Sequence, residues 1–305
     1  MTKLHIVGTG AIGTLLAAGA EKHGVAYARY PKPHSTLPET VNWSGTDIVS
    51  LLAPAATPTC LSQDDVIVLP LKVYQLKNAL ETWSSYLENR PPVVLLHNGL
   101  GGFEIATSIL GENYPILLAT TSHGALKAPN GKSATYTGLG KTQIGLPHRS
   151  KALKDEKHLP WVKQATALLD NALPPVEFVD DITRSLWQKL AINCVINPLT
   201  ALNNMPNGDV LLKEYDEIRH ALCREFAIVA EQYGLVFSVQ ELEKNVLSVA
   251  SLTAQNYSSM HQDIAMDRHT EIDAINGYIV SLANKKGISV PTHALMVDRV
   301  KGLVL

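Results

Sequence analysis

A glycine pattern directly behind a short apolar run constrains this chain more than any other feature. Leu4–Val7 has the composition of a buried strand. Gly8, Gly10 and Gly13 follow it in the spacing G-x-G-x-x-G, at the start of a helical pattern. In such a unit the glycines permit a tight turn, the approach of a pyrophosphate and close packing of helix on strand. The pattern predicts a dinucleotide-binding loop at a helix N-terminus, formed by Gly8, Thr9, Gly10, Ala11, Ile12 and Gly13.

The residue that selects between nicotinamide cofactors is expected about 20 positions further on, at the end of the second strand. Enzymes that use NAD place an acidic residue there, whereas Tyr27–Lys32 contains two cations and no acid. A guanidinium matches a phosphate through two parallel hydrogen bonds, and a carboxylate would repel it. The sequence therefore favours NADP(H), with Arg29 as the predicted contact. The alternative is that Arg29 is a solvated loop residue.

The first half of the chain alternates short apolar runs with amphipathic helical patterns. The predicted strands are Leu4–Val7, Asp47–Leu52, Val66–Leu71, Val93–Leu96 and Ile116–Thr120, and the predicted helices are Val73–Leu87 and Gly102–Leu110. This alternation predicts an α/β Rossmann-type domain with a parallel sheet covered by helices. The Thr- and Gly-rich segment Lys132–Leu146 is expected to add antiparallel strands at the edge of that sheet.

The second half changes to nearly continuous helical patterns. The predicted helices are Ile182–Val195, Val210–Tyr233, Leu242–Ala250, Asn256–Lys285 and one that begins at Pro291. Pro174 and Pro175 mark the change in character. We therefore predict two domains, an NADP(H)-binding domain over residues 1–175 and an all-α substrate-binding and catalytic domain over residues 176–305.

One helix of the second half carries an ammonium and two amides among apolar residues. At about 100° per residue, Lys189, Asn193 and Asn197 fall within an arc of about 80°, while most of their neighbours are apolar. A lysine is costly to bury without a use, and the amides offer it fixed hydrogen-bond partners. The pattern alone leaves two interpretations open, a functional face and the solvent-facing stripe of an amphipathic helix.

A second polar segment runs from Asn256 to Gly277. If this segment is one helix, then Asn256, Ser259 and Glu271 lie within an arc of about 120° and offer an amide, a hydroxyl and a carboxylate. A wetted helix face would have the same pattern, so both interpretations again stay open.

These segments and the glycine loop together resemble the ketopantoate reductase (2-dehydropantoate 2-reductase) family over nearly the whole chain. The most specific matches are Lys189-Leu-Ala-Ile-Asn193-Cys-Val-Ile-Asn197-Pro-Leu-Thr-Ala, Pro206-Asn207-Gly208, Ser258-Ser259-Met260-x-Gln262-Asp263 and Arg268-His-Thr-Glu271-Ile-Asp273-x-Ile-Asn276-Gly277. Two further matches follow predicted strands, namely Leu71-Lys72 and His97-Asn98-Gly99-x-Gly101.

The resemblance implies a role for each matching residue. Lys189 is the implied general acid, and Glu271 is the carboxylate that orders the lysine and the cofactor. The implied substrate-binding residues are Asn98, Asn193, Asn197, Asn256 and Ser259. Asn98 and, more loosely, Lys72 are implied cofactor contacts. Asn207 is expected to have a structural or supporting role.

The implied reaction is NADPH-dependent reduction of ketopantoate to pantoate in pantothenate and coenzyme A biosynthesis. Hydride transfer to a ketone develops negative charge on its oxygen, which an ammonium stabilises and protonates. Two rivals stay open: a reductase of another 2-oxo acid on the same fold, and a non-catalytic NADP(H)-sensing protein. The second rival predicts that the acid is missing, whereas Lys189 is present.

Charge, apolar run length and residue spacing limit the kinds of partner expected for this chain. The net charge of −2 argues against a nucleic-acid binder, and no apolar run is long enough to cross a membrane. The spacing of His, Cys and acidic residues predicts no metal site. We therefore expect a cytoplasmic enzyme with a small-molecule substrate, either a monomer or a homodimer.

Overall fold

The chain forms two compact units. The computed structural model describes residues 2–33, 35–56, 61–147 and 159–303. The first unit comprises Met1–His97 and Gly102–Ser185, and the second comprises Asn98–Gly101 and Leu186–Leu305. The sequence-based boundary at residues 175/176 falls earlier, just before a strand that pairs within the first unit.

The first unit alternates strands and helices. Its elements are β1 (Leu4–Val7), α1 (Ala11–Lys22), β2 (Tyr27–Tyr30), β3 (Thr40–Ser44), β4 (Asp47–Ser50), β5 (Val66–Leu69), α2 (Val73–Trp83), β6 (Val93–Leu96), α3 (Gly102–Leu110), β7 (Ile116–Thr121), β8 (Gly124–Lys127), β9 (Ser133–Gly138), β10 (Thr142–Gly145), α4 (Pro160–Ala172) and β11 (Val176–Phe178). This order confirms the predicted α/β class.

The described strands form two sheets. The larger sheet has the order β11-β10-β7-β6-β5-β1-β2, and the smaller has the order β4-β3-β9-β8. Strands β2, β1, β5, β6 and β7 run parallel to one another, and β10 runs antiparallel to β7. The prediction for Lys132–Leu146 is therefore correct for β10. It is wrong for β9, which pairs with β3 and β8 in the smaller sheet.

The central strands are apolar because helices cover a parallel sheet on both faces. Every residue of β1, β5 and β6 is buried. Leu15 and Leu16 of α1 pack in the same core as the β1 residues Leu4 and Ile6. This packing fixes the start of α1 at the end of β1, which is where the glycine pattern lies.

The second unit is helical. Its helices are α5 (Ile182–Asn203, whose first turn belongs to the first unit), α6 (Asp216–Glu231), α7 (Val239–Leu252), α8 (Ser259–Ala265), α9 (Asn276–Lys285) and α10 (Pro291–Lys301), with 3₁₀ turns at Asn207–Leu211, Lys213–Tyr215 and Ile272–Ala274. No helix of the described residues is both long and apolar enough to cross a membrane. The all-α class of the second half is thereby confirmed.

The single helix predicted over Asn256–Lys285 is wrong. Helix α8 ends at Ala265, and Asp267 then adopts a left-handed backbone conformation with φ of 50°. The amide of Arg268 donates to the Asp263 carbonyl oxygen, which closes the helix end. Glu271 precedes a separate 3₁₀ turn. Asn256, Ser259 and Glu271 therefore do not share a helix face, and the predicted arc of 120° does not exist.

Two glycines of the N-terminal loop differ in how tightly they are packed. A Cβ atom at Gly13 would lie 2.1 Å from the Gly8 carbonyl oxygen, whereas at Gly10 the nearest heavy atom is the Pro70 carbonyl oxygen at 4.0 Å. We predict that Gly13→Ala lowers the free energy of unfolding by about 1–3 kcal/mol, since β1 and α1 must separate. Urea unfolding followed by circular dichroism measures this change.

The matched control is Gly10→Ala, because Gly10 has an ordinary φ of −65° and open space around it. Its unfolding midpoint should stay close to that of the unmodified protein. Equal losses for the two variants would contradict this account of helix–strand packing.

Candidate active site

The glycine loop between β1 and α1 has the geometry that a bound pyrophosphate needs. Gly8 has φ of +114°, and a Cβ atom there would lie 2.4 Å from the Leu71 side chain. Gly10 is exposed and leaves room above the loop. The first turn of α1 contains no acidic residue, and Gly10 provides no side-chain cap for it. Its free N–H groups and the helix dipole therefore suit an anion, so the loop fits a dinucleotide.

A lysine far along the chain also reaches this loop. The Nζ atom of Lys127 on β8 donates to the Thr9 carbonyl oxygen at 3.2 Å. Lys127 is not among the predicted site residues, since no local pattern links it to a loop 118 residues away. Lys127 adds positive charge where the dinucleotide phosphates are expected.

Lys72 directly follows two residues that pack against the glycine loop. Leu71, which follows β5, supplies the atom closest to a Cβ at Gly8, and a Pro70 side-chain atom lies 2.9 Å from a Cβ at Gly13. Lys72 comes next, directly before α2, and its amide donates to the Gln75 side-chain oxygen at 3.1 Å. The carboxyl ends of β1 and β5 thus bring the glycine loop and Lys72 to one edge of the sheet.

Arg29 has a different environment from the one that its position in the sequence indicates. It is only 2% exposed. Its Nε donates to the Leu52 carbonyl oxygen at 2.6 Å, and its Nη1 donates to the Pro38 carbonyl oxygen at 2.6 Å. Burial also lowers the pKa of the guanidinium. Arg29 therefore ties β2 to the segments on either side of β3 and β4, and it is not a solvated loop residue. Lys32, two residues after β2, is exposed.

Helix α5 carries Lys189, Asn193 and Asn197 on one face. The helix is continuous from Ile182 to Asn203, so successive members of this set are about 40° apart. Lys189 and Asn193 are half-buried and Asn197 is buried. The predicted arc of about 80° is present, and the face is not a solvent-facing stripe.

Lys189 and Glu271 interact electrostatically within the second unit. Desolvation lowers the pKa of Lys189 to about 8, and the negative charge of Glu271 acts in the opposite direction. Glu271 is itself buried. A buried carboxylate beside a desolvated ammonium keeps that ammonium protonated near neutral pH, yet leaves its proton easier to give up than that of a solvated lysine.

The loop that carries Asn98 is held against Glu271. The Nδ2 atom of Asn98 donates to Glu271 Oε2 at 3.4 Å, and the Leu100 amide donates to the Ala274 carbonyl oxygen at 3.0 Å. Gly99 has φ of +75°, and a Cβ atom there would lie 2.4 Å from the same Ala274 oxygen. Only glycine permits this approach, so the His-Asn-Gly segment brings Asn98 to the carboxylate.

The contacts of Ser258 determine where Ser259 lies. The hydroxyl oxygens of Ser258 and Thr200 lie 2.7 Å apart, and Thr200 is on α5 one turn after Asn197. Ser258 also accepts a hydrogen bond from the His261 amide and so caps α8. Ser259, the exposed first residue of α8, is thereby located beside the C-terminal half of α5.

Asn256 is placed by the turn that contains Pro206, Asn207 and Gly208. The Asn207 amide donates to the Asn256 carbonyl oxygen at 2.8 Å, and its side chain donates to Thr253 Oγ1 at 3.0 Å. The side chain of Asn207 is thus used to support the loop that presents Asn256.

A Rossmann-type sheet with this glycine loop, in one chain with a desolvated ammonium beside a carboxylate, defines an oxidoreductase that uses a nicotinamide cofactor. Two family models match the chain: "Ketopantoate reductase PanE/ApbA" over residues 4–148 and "Ketopantoate reductase PanE/ApbA C terminal" over residues 181–304. The chain therefore belongs to the ketopantoate reductase family.

One relative by sequence agrees with this assignment, and two solved structures share the fold. The 2-dehydropantoate 2-reductase of Escherichia coli O157:H7 is 35% identical over 304 residues, which cover 98% of this chain and 94% of the relative. A structure of D-mandelate dehydrogenase with NADH and anilino(oxo)acetate superposes with a TM-score of 0.86 at 22% identity, covering 99% of this chain and 98% of that one. A dimeric ketopantoate reductase from Staphylococcus aureus gives 0.81 at 20% identity, with 99% and 98% covered.

The charge balance at Lys189 gives a prediction with a definite sign. Because Glu271 raises the pKa of Lys189 against desolvation, Glu271→Gln should lower that pKa below its present value of about 8. The pKa is measurable from the pH dependence of the Lys189 Cε resonance in protein labelled with ¹³C-lysine, assigned by its loss in Lys189→Arg.

Glu243→Gln is the matched control, since Glu243 lies in the same unit and pairs with His220 at 3.0 Å. An unchanged or higher pKa in Glu271→Gln would contradict the pairing of Lys189 with Glu271.

Proposed function

We propose that this protein reduces 2-dehydropantoate (ketopantoate) to pantoate with NADPH, and that Lys189 is the general acid. The observation that carries the proposal is the interaction of desolvated Lys189 with buried Glu271. Lys189 lies on a face of α5 that also presents Asn193 and Asn197. Two findings support ketopantoate as the substrate: membership of the ketopantoate reductase family, and the similarity to the 2-dehydropantoate 2-reductase of Escherichia coli O157:H7.

Lys189 has the properties that the protonation step requires. When bound, the cofactor supplies a hydride to the ketone carbon, which leaves negative charge on the ketone oxygen. The Lys189 ammonium stabilises that charge and transfers a proton from Nζ to the oxygen, becoming a neutral amine. A pKa of about 8 leaves most of the lysine protonated at pH 7, and it keeps the free-energy cost of moving the proton from Nζ small.

The neighbouring side chains are assigned to binding and orientation. We assign Asn193 and Asn197 to the hydroxyl end of the substrate, and Ser259 and Asn256 to the carboxylate end. Asn98, fixed on Glu271, is assigned to both substrate and cofactor. Amides and hydroxyls held in place on helices and tight turns discriminate through hydrogen bonds, because an analogue that lacks a matching group leaves them unpaired.

For the cofactor we propose NADP(H), held by the loop from Gly8 to Gly13 with Lys72 beside it. Arg29 is engaged with two backbone carbonyl oxygens, so we assign it to ordering the backbone segments beside β2. The exposed Lys32 is then the cation that contacts the 2′-phosphate. Both side chains favour NADPH over NADH in this proposal. Arg29 orders the backbone that it contacts, and Lys32 supplies positive charge.

We further propose a place in pantothenate and coenzyme A biosynthesis in the cytoplasm, and an assembly no larger than a homodimer. The Staphylococcus aureus neighbour is described as dimeric. The proposed ligands are small molecules, in keeping with a net charge of −2.

Removal of the lysine amine tests the proposed acid. Lys189→Ala should lower kcat by roughly 10²-fold or more while the dissociation constant for NADPH stays within about threefold. Stopped-flow single-turnover kinetics gives the first quantity, and NADPH fluorescence titration gives the second.

Gln188→Ala is the matched control, because it removes a half-buried polar side chain from the adjacent position of α5. Unchanged turnover in Lys189→Ala, or an equal loss in Gln188→Ala, would remove Lys189 from the mechanism.

Reversal of a single charge tests the cofactor assignment. Lys32→Glu should raise KM for NADPH at least tenfold and leave KM for NADH nearly unchanged, because only NADPH carries a 2′-phosphate. Lys163→Glu makes the same charge change at an exposed position of α4 and controls for the net charge of the protein. Equal effects of Lys32→Glu on the two cofactors would refute a contact with the phosphate.

A further inference from the structure

A proline inside α5 leaves one backbone carbonyl oxygen of the helix without its usual donor. In an α-helix the carbonyl oxygen of residue 194 accepts a hydrogen bond from the N–H of residue 198. Residue 198 is Pro198, which has no N–H and whose ring crowds that carbonyl group. Cys194 is buried, so water does not satisfy its oxygen easily.

A side chain from another helix supplies the missing donor. The Nδ2 atom of Asn276, the first residue of α9, donates to the Cys194 carbonyl oxygen at 2.9 Å. Asn276 is 0% exposed. An amide that replaces a backbone N–H at this point stabilises the helix where a proline would otherwise destabilise it.

A buried histidine fixes the orientation of this amide. The Asn276 Nδ2 atom lies 3.2 Å from His293 Nδ1, and His293 Nε2 lies 3.1 Å from the Leu222 carbonyl oxygen. With its proton on Nε2, the imidazole donates to Leu222 and accepts from Asn276, so both amide hydrogens are used. Burial lowers the pKa of His293 to about 4, which keeps the ring neutral at physiological pH.

A buried carboxylate in turn holds the histidine. Glu225 of α6, which is 2% exposed, accepts hydrogen bonds from the Thr292 amide at 3.0 Å, the Thr292 hydroxyl at 2.6 Å and the His293 amide at 3.1 Å. These bonds fix the first turn of α10, where His293 lies. The network therefore runs from α6 through α10 and α9 to a single carbonyl oxygen of α5.

The position of the Cys194 carbonyl oxygen shows which part of α5 the network supports. Cys194 directly follows Asn193, and Pro198 directly follows Asn197, so the turn that lacks a backbone bond separates these two amides. Lys189 lies on the same face one turn before Asn193. A change in the bend of α5 at this turn would shift Asn197 relative to Lys189.

We propose that Asn276 is a positioning residue for the active face of α5: it replaces the N–H that Pro198 lacks and so sets Asn197 relative to Lys189. The proposal rests on the proposed function only in taking these two residues as substrate contacts. It predicts that the need for Asn276 depends on the residue at position 198.

A double-mutant cycle at positions 276 and 198 tests this dependence. With Pro198 present, Asn276→Ala should lower kcat/KM for the 2-oxo acid at least tenfold, with KM for NADPH unchanged. Pro198→Ala restores an N–H for the Cys194 oxygen, so adding Asn276→Ala to Pro198→Ala should cost less than about threefold. Urea unfolding of the four proteins should show the same dependence in stability.

Asn203→Ala is the matched control. Asn203 makes the same kind of bond to the same helix, from its Nδ2 to the Leu199 carbonyl oxygen at 2.8 Å, but it is exposed and lies after Pro198. It should leave kcat/KM within about twofold. An equal loss for Asn203→Ala and Asn276→Ala would overturn the proposal, since any lost bond to α5 would then suffice.

The remaining outcomes also decide the matter. Equal losses on adding Asn276→Ala to the unmodified protein and to the Pro198→Ala variant would overturn the proposal. If Asn276→Ala does not fold, folding of the double variant supports the proposal and its failure to fold overturns it. The kinetics use whichever 2-oxo acid the unmodified protein reduces fastest, and the urea data need no substrate. Failure of the ketopantoate assignment is therefore distinguishable from failure of this inference.

Discussion

The opposing effects of desolvation and of the Glu271 charge set the protonation of Lys189 in the second unit. Desolvation of the ammonium lowers its pKa, and the buried carboxylate limits that decrease. Because the folded protein disfavours the charged lysine relative to the unfolded chain, Lys189 costs stability below about pH 8 and the cost disappears as the pH rises. This cost fits the proposed use of the ammonium as an acid.

The second unit holds the pair through contacts that come from distant parts of the chain. Glycine at position 99 lets the Asn98 loop approach Ala274, and Ser258 ties α8 to Thr200. Asn276 completes the backbone of α5 at Pro198. In each case a small or polar residue allows a close approach or makes a hydrogen bond between segments that are distant in the sequence.

The sequence predicts those features whose causes are local. The glycine spacing, the apolar strands and the face of α5 depend on short-range periodicity, and the structure agrees with them. The environment of Arg29 depends on carbonyl groups of Pro38 and Leu52, which a local pattern does not show. The broken helix after Ala265 depends on the left-handed backbone at Asp267, and the contact of Lys127 with Thr9 on the fold. The roles of the site residues that the family resemblance implies remain predictions.

The proposed recognition of ketopantoate by the second unit can be tested through the substrate's hydroxyl group. The measurement compares kcat/KM, with NADPH, for ketopantoate and for 3,3-dimethyl-2-oxobutanoate, which differs only by lacking the hydroxyl group. Ketopantoate should be preferred by on the order of 10²-fold or more, because the analogue leaves the Asn amides unpaired. Comparable values for the two acids, or for ketopantoate and pyruvate, would contradict it and favour a reductase of another 2-oxo acid.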